Sequence, residues 1–324
     1  RWSGKQAKKF NAINDQLQPI APGQPFRLMQ QRSAADIAIM KEIVRQVPEL
    51  RPAVYSLIER DVHRALTTIE QVTPEQVPRK EGVWAPGSSV VEFTPKQEKA
   101  IQKALSEGKT LPAGQPATLY EALVKDYTGR TPEAQSQTLV ITHLNKDRRT
   151  LNGMIHDARR ENGETGKEEI TLPVLVTSNI RDGELRKLST WTAHKEAVAL
   201  VDNVYHRISK VDKDNQLITL TDSDGKERYI SPREASAEGV TLYRQEKITV
   251  SQGDRMRFSK SDPERGYVAN SIWEVQSVAG DSVTLSDGKT TRTLTPKADQ
   301  AQQHIDLAYA ITAHGAQGAS ERYA

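Results

Sequence analysis

The sequence contains no cysteine, which excludes a disulfide-stapled secreted scaffold, a thiolate metal site and a cysteine nucleophile. No apolar run approaches the roughly 18 residues that a membrane-spanning helix needs. The opening stretch RWSGKQAKKFNAINDQLQPI lacks the apolar centre of a secretory signal, so no membrane insertion is expected and the chain reads as cytoplasmic. A complete phosphate loop is missing too. Ser3-Gly4-Lys5-Gln6 holds a Gly-Lys pair without the first glycine of GxxxxGK(S/T) or the hydroxyl residue that would hold Mg²⁺. There is no GxSxG elbow for a serine hydrolase. The histidines are scattered with no HxxxH pair beside a carboxylate, so no metal held by the chain alone is expected. Excess charge of one sign is also absent: 45 Lys and Arg face 42 Asp and Glu, for a net charge of +3. Nucleic-acid binding would therefore have to rest on local patches.

What is present is a chain of 324 residues, long enough for two or three domains. Hydrophobic residues make up 36% and charged residues 27%, with a mean hydropathy of -0.64; this is polar, yet within the range of folded proteins. Without an initiator Met, and ending in ERYA, it reads as a piece of a longer protein. From Ser33 to about Val72 the pattern is helical. Ser33 suits an N-cap, Ile37, Met40 and Val44 recur at helical spacing, and Pro48 and Pro52 break the run. A second helix is expected from about Ala53 to Ile69, with Val54, Leu57, Ile58, Val62, Ala65 and Ile69 as one apolar stripe. Capping boxes at Thr94–Gln97 and Thr118–Glu121 open two more helices, which Gly108 and Gly129 close. The intervening TPEQVPRKEGVWAPGSS reads as a surface connection.

The run TLVIT, Thr138 to Thr142, suggests a strand buried on both faces. The helix after it points Leu151, Met154, Ile155 and Ala158 one way. Beyond Gly166 the texture changes to two-residue alternation punctuated by Asp214-Asn215, Asp224-Gly225, Gly280-Asp281 and Asp287-Gly288, which predicts hairpins and, at this spacing, a small closed β-barrel. An apolar strand from about Ile305 to Thr312 then restores the α/β texture, so the β segment reads as an insertion within one sheet.

Ligands of an open parallel sheet bind at the carboxyl ends of its strands. The candidate residues are therefore Thr142, His143, Asn145, Asp147, Arg148 and Arg149 after the first strand, and Thr312, His314, Gln317, Ser320 and Glu321, with Gly315 and Gly318, after the second. Such side chains suit phosphates and sugars, and glycines admit a close backbone. The plainer reading makes Asn145 a helix cap, Arg148 and Arg149 a solvated face, and His314 an ordinary loop residue.

LAYAITAHGAQGASE resembles motif V of superfamily-one DNA helicases, a strand followed by T-x-H-x-x-Q-G, a small residue and Glu. Other stations of that motor recur in order. NDQLQPI resembles the glutamine-sensor motif, IMKEIVRQ the short arginine motif, and QTLVITHLNKDRRTLNGMIHDAR the start of the second motor domain. GDRMRFSKSDPERGYVANSIWEV resembles the inserted barrel of the 5′ to 3′ branch, and the chain from about Asp15 onward is similar to the helicase part of plasmid relaxase-helicases.

The resemblance implies an α/β fold. Residues 15–166 and 301–324 would belong to a RecA-like second motor domain with a parallel sheet, 167–300 would be the inserted antiparallel β-barrel, and 1–14 stay unassigned. It further implies that Gln16 senses the γ-phosphate and Arg45 stabilises charge developing on it, with Gln46, Gly318 and Glu321 at the nucleotide. Thr142, His143, Asn145, Arg148, Thr312, His314 and Gln317 would contact single-stranded DNA, and Phe258, Tyr267 or Trp273 of the barrel would either stack on bases or fill its core. ATP and Mg²⁺ belong to the full-length motor. The chain by itself, lacking the phosphate loop, would bind neither and be inactive. An alternative reading is a non-catalytic single-strand-binding module recognised by conjugative secretion and coupling proteins.

Overall fold

A computed structural model describes residues 46–72, 89–111 and 115–316. The helical pattern expected from Ser33 lies outside them as far as Arg45, as does most of the Pro/Gly-rich connection. The described residues divide into two compact units, one formed by 46–159 with 310–316 and the other by 160–309.

The first unit opens with a 3₁₀ turn, Pro48–Leu50, and helices α1, Arg51–Ile58, and α2, Val62–Thr67. These replace the single helix expected from Ala53 to Ile69. Arg60 takes a positive φ of 64°, and the Asp61 carboxylate restarts the helix by accepting from the Arg64 N–H at 2.9 Å. Pro52 sits in the first turn of α1, where its missing N–H has no helical partner to lose. Only Ala53, Ser56 and Ala65 are buried, whereas Leu57, Ile58, Val62 and Leu66 are about half exposed, so the apolar stripe does not form a packed face.

Strands β1, Glu70–Val72, and β2, Ser89–Val91, pair in parallel. Helix α3, Pro95–Ser106, has the expected reciprocal box between Thr94 and Gln97, and Gly108 follows at a φ of 74°. At α4, Leu119–Thr128, Thr118 caps the Glu121 N–H, but Glu121 reaches back to Ala117 at 2.7 Å instead of to the cap residue. Then come α5, Pro132–Ser136, β3, Val140–Thr142, and α6, Asn145–Glu161. Ile141 is 48% exposed while Val140 and Thr142 are buried, so β3 buries one face rather than two. The buried line of α6 is Arg148, Leu151, Asn152, Ile155 and His156, with Met154 and Ala158 half-buried.

The second unit contains β4, Glu169–Thr177, helices α7, Asp182–Leu185, and α8, Leu188–Ala193, then β5, Val198–Val201, β6, Val204–Asp212, β7, Leu217–Thr221, and β8, Glu227–Ile230. After α9, Pro232–Ala237, come β9, Thr241–Ser251, β10, Arg255–Phe258, β11, Ile272–Ala279, β12, Ser282–Ser286, β13, Thr291–Leu294, and β14, Ile305–Leu307. The turn dipeptides lie between paired strands, with positive φ at Gly225, Gly280 and Gly288, whereas after Asp214-Asn215 it is Gln216 that takes the positive φ. Among the described residues no closed sheet is found. The strands form two open antiparallel sheets, in the orders β4-β9-β5-β6-β7-β8 and β13-β12-β11-β10-β14. Closing the second would need β13 to pair with β14, and among the described residues these two strands stand at opposite ends of the sheet. Each sheet has buried residues of its own: Trp191, Ile218, Leu220 and Leu242 in a cluster on the six-stranded sheet, and Met256, Phe258, Val275 and Leu285 on the strands of the other.

Phe258, Tyr267 and Trp273 fill a core and do not present faces to a ligand. Phe258 stacks on Tyr267 at 4.3 Å and meets the edge of Trp273 at 5.7 Å, and Arg292 covers both partners at 5.3 and 5.4 Å. All three rings are buried.

A second aromatic group surrounds the buried His304. Its Nε2 hydrogen-bonds with the Tyr205 hydroxyl at 2.8 Å, and the edge of Tyr243 lies at 4.7 Å. Burial, with a smaller push from Lys260 against the pull of Asp262, lowers the imidazole pKa to about 4. Burial likewise pushes Tyr205 up to about 12.

The apolar run expected as one strand from Ile305 to Thr312 is two strands in different sheets. β14 lies antiparallel to β10; β15, Ala310–Thr312, lies parallel to β3 and leads into α10, Ala313–Ala316. Among the described residues no helix is long and apolar enough to cross a membrane.

Candidate nucleic-acid interface

Strands β3 and β15 pair with Ala310 opposite Val140, Ile311 opposite Ile141 and Thr312 opposite Thr142. Because the pair is parallel, both strands end on the same side, and the two loops singled out from the sequence leave it together. Each threonine shapes its own loop. The Thr142 hydroxyl donates to the Leu144 carbonyl at 3.3 Å, and the Thr312 hydroxyl accepts from the Gly315 N–H at 3.4 Å. His143 and His314 are exposed at these ends and Asn145 is half-buried at the start of α6.

Arg148 differs from both sequence readings. It is only 2% exposed, so it is neither a solvated face nor open to a phosphate, and its Nε donates to Asn145 Oδ1 at 3.3 Å. Arg149, the next residue, is exposed. Asp147 is held from α4 by the Tyr120 hydroxyl, which donates to it at 2.6 Å; that bond raises the tyrosine pKa above its ordinary value.

Sequence reasoning missed Asn152. Its carboxamide donates to the Ala310 carbonyl at 3.0 Å and accepts from the Ala310 N–H at 2.7 Å. A side chain of α6 thus occupies both backbone groups of the first residue of β15, as a neighbouring strand would. The available signal was a polar residue one turn from Arg148 and one turn from His156, interleaved with the apolar Leu151 and Ile155. Gly315 is also constrained, since a Cβ there would lie 2.8 Å from Ile311 Cγ1.

Gln16, Arg45, Gln317, Gly318, Ser320 and Glu321 lie outside the described residues. Of the nucleotide set only Gln46 is described; it is half-buried, and its carbonyl accepts from Arg51 Nε at 3.2 Å. Among the described residues no group of three or more His, Asp or Glu could hold a metal ion.

No family model matches the chain. Two curated relatives, both named multifunctional conjugation protein TraI, one from Escherichia coli strain K12 and one from Escherichia coli, are each 67% identical to it over 314 residues. The matches cover 96% of this chain and 18% of each relative, so the chain spans less than a fifth of their length. A solved structure of Pif1 helicases at forked duplex DNA aligns with 71% of this chain and 41% of its own at 10% identity and a TM-score of 0.27. The resemblance read from the ordered motifs is thus matched by the sequence comparison, and the chain is similar over almost its whole length to one stretch of TraI.

Proposed function

We propose that this chain is the part of an ATP-dependent 5′ to 3′ DNA helicase, within a conjugation protein, that grips single-stranded DNA through the carboxyl ends of β3 and β15. The observation that carries this reading is the in-register pairing of Thr142 with Thr312, which gathers His143, Asn145 and His314 at one end of one sheet. Hydroxyl, amide and imidazole groups so gathered can bind phosphate and sugar oxygens with little demand on base identity. The curated relatives, conjugation proteins by name, support a role in DNA transfer. Gln317 joins the grip by its spacing from His314, whereas Arg148 steadies Asn145 from inside.

In this reading residues 15–159 and those from Ala310 onward belong to a RecA-like motor domain, and the β segment between them is its insertion. ATP and Mg²⁺ act in the full-length protein. Gln16, Arg45, Gln46, Gly318 and Glu321 are its nucleotide-side residues, and no hydrolysis is assigned to this chain alone.

Fluorescence anisotropy of the 324-residue chain with a labelled single strand tests the grip. Affinity should fall with salt, with a log-log slope of roughly -0.7 per neutralised phosphate. His314→Ala should weaken binding at every salt concentration. An affinity that ignores salt, or one that neither His143→Ala nor His314→Ala changes, would overturn the reading.

A further inference from the structure

We propose that Tyr120 is a positioning residue for the single-strand grip: its hydroxyl holds the Asp147 carboxylate toward α4, so that the loop after β3 meets phosphates without an opposing charge. The inference rests on the reading of that loop as a DNA contact, and all of its residues belong to the first unit.

The end of β3 is not uniformly suited to an anion. His143 and Lys146 are exposed and Asn145 is half-buried, but Asp147 stands in the first turn of α6, two residues after Asn145. A helix rises only about 1.5 Å per residue, so the Asp147 charge lies well within the Debye length of about 10 Å from a phosphate at Asn145. A carboxylate that near a bound phosphate repels it, most strongly at low salt.

The bond from Tyr120 offsets this repulsion. Its hydroxyl donates to Asp147 Oδ1 at 2.6 Å, across 27 residues of sequence. That is the length of a charge-assisted bond from a hydroxyl to a carboxylate. The hydrogen bond, followed by burial and by the carboxylate charge, raises the tyrosine pKa, so the hydroxyl keeps the proton that it donates.

Both partners are anchored through their own helices. Tyr120, Val124 and Tyr127 recur at helical spacing on α4, with Val124 and Tyr127 buried, and the Thr118 hydroxyl caps that end by accepting from the Glu121 N–H at 3.2 Å. Asp147, Leu151 and Ile155 recur in the same way on α6, with Leu151 and Ile155 buried. The bond thus fixes where the charge lies. A phenylalanine at 120 would keep the half-buried ring and release the carboxylate into its other staggered rotamers, among them those that bring the charge toward the strand's path. Tyr120 itself touches no DNA and acts through Asp147.

The test is a double-mutant cycle of Tyr120→Phe and Asp147→Asn in the 324-residue chain, read by anisotropy with a labelled oligothymidylate at several salt concentrations and with thermal unfolding as a control. Tyr120→Phe should lower affinity roughly three- to tenfold at low salt, and the loss should shrink as salt rises, because it comes from a charge. Asp147→Asn, whose side-chain oxygen still accepts from the tyrosine, should bind at least as tightly as wild type. In its background Tyr120→Phe should cost nothing further, since no charge is left to hold. A loss of the same size in both backgrounds would make Tyr120 a purely structural residue and overturn the proposal, as would no loss at all, or weaker binding by Asp147→Asn. For each of those results His143→Ala and His314→Ala decide which reading fails. If they weaken binding, the grip stands and only the role of Tyr120 is refuted; if they leave it unchanged, the grip is refuted and the role of Tyr120 falls with it. Should Tyr120→Phe fold poorly, Tyr120→Met, flexible enough to fill the same space, takes its place with the same outcomes expected.

Discussion

The carboxamide of Asn152 closes both backbone groups of Ala310, at 3.0 Å to the carbonyl and 2.7 Å from the N–H, across 158 residues of sequence. It fastens α6, which begins at the end of β3, to the first residue of β15, so the two strands whose ends form the candidate grip share a helix as well as a ladder. The side chain is 2% exposed, and removing it strands two backbone groups away from water. Asn152→Ala is expected to cost about 2–4 kcal/mol in the urea unfolding of the unit that holds α6. Asn152→Asp should be at least as damaging, because a carboxylate cannot donate to the Ala310 carbonyl. A change within about 0.5 kcal/mol for both variants would show that the clamp contributes nothing.

Local signals in the sequence carried the two loops and most of the hairpins. Polar residues just after TLVIT and AYAIT marked the strand ends, and Asp224-Gly225, Gly280 and Gly288 announced turns that the backbone adopts with positive φ at each glycine. What was not legible depends on partners far along the chain. The distribution of strands into two open sheets follows from pairings such as β4 with β9, where Glu169 meets Ser251, and no periodicity encodes that choice. Arg148 was misread because charge predicts exposure only on average, and a helix that begins at a sheet edge turned this arginine inward. The helix break at Arg60 has no glycine or proline to announce it; Asp61, a good N-cap in the middle of an apolar stripe, was the only cue.

His304 gives the second unit a dependence on pH whose sign follows from its environment. The folded imidazole protonates at about 4, whereas in the unfolded chain it would do so near its ordinary value of 6.5. Between those values the unfolded state binds more protons, so the contribution is complete above pH 6.5 and is lost as the pH falls toward 4. The loss should reach about 2 kcal/mol at pH 5, which urea titrations at pH 7 and pH 5 would read. His304→Gln should flatten that part of the profile. An equally steep loss in the variant would assign the acid sensitivity to carboxylates instead.

The burial of Trp273 separates core from contact. A base stacked on an aromatic ring is worth about 1–3 kcal/mol, so a stacking tryptophan replaced by alanine would lower single-strand affinity by roughly an order of magnitude. Trp273 instead packs edge-on to Phe258 under Arg292. Trp273→Ala should cost about 3–5 kcal/mol of stability. The conservative Trp273→Phe should leave single-strand affinity within about twofold of wild type, well short of the loss that removing a stacked ring causes. A large affinity loss in Trp273→Phe at unchanged stability would put the ring on the DNA.

Two glycines in the first unit should respond to alanine with opposite signs. Gly153 lies within α6 and a Cβ added there meets nothing within 4 Å, so Gly153→Ala removes backbone freedom from the unfolded chain and adds no clash. It should stabilise by about 0.5–1 kcal/mol. At Gly315 the added Cβ would meet Ile311 Cγ1 at 2.8 Å and Cδ1 at 3.0 Å. Ile311 is a buried β-branched residue in the middle of β15, paired with Ile141, so it has few rotamers to escape into. Gly315→Ala should therefore destabilise by about 1–3 kcal/mol and displace His314 along with α10, weakening single-strand binding in the same measurement that reads His314→Ala. A stabilised Gly315→Ala with intact binding would mean that Ile311 yields and that this glycine does not hold the loop in place.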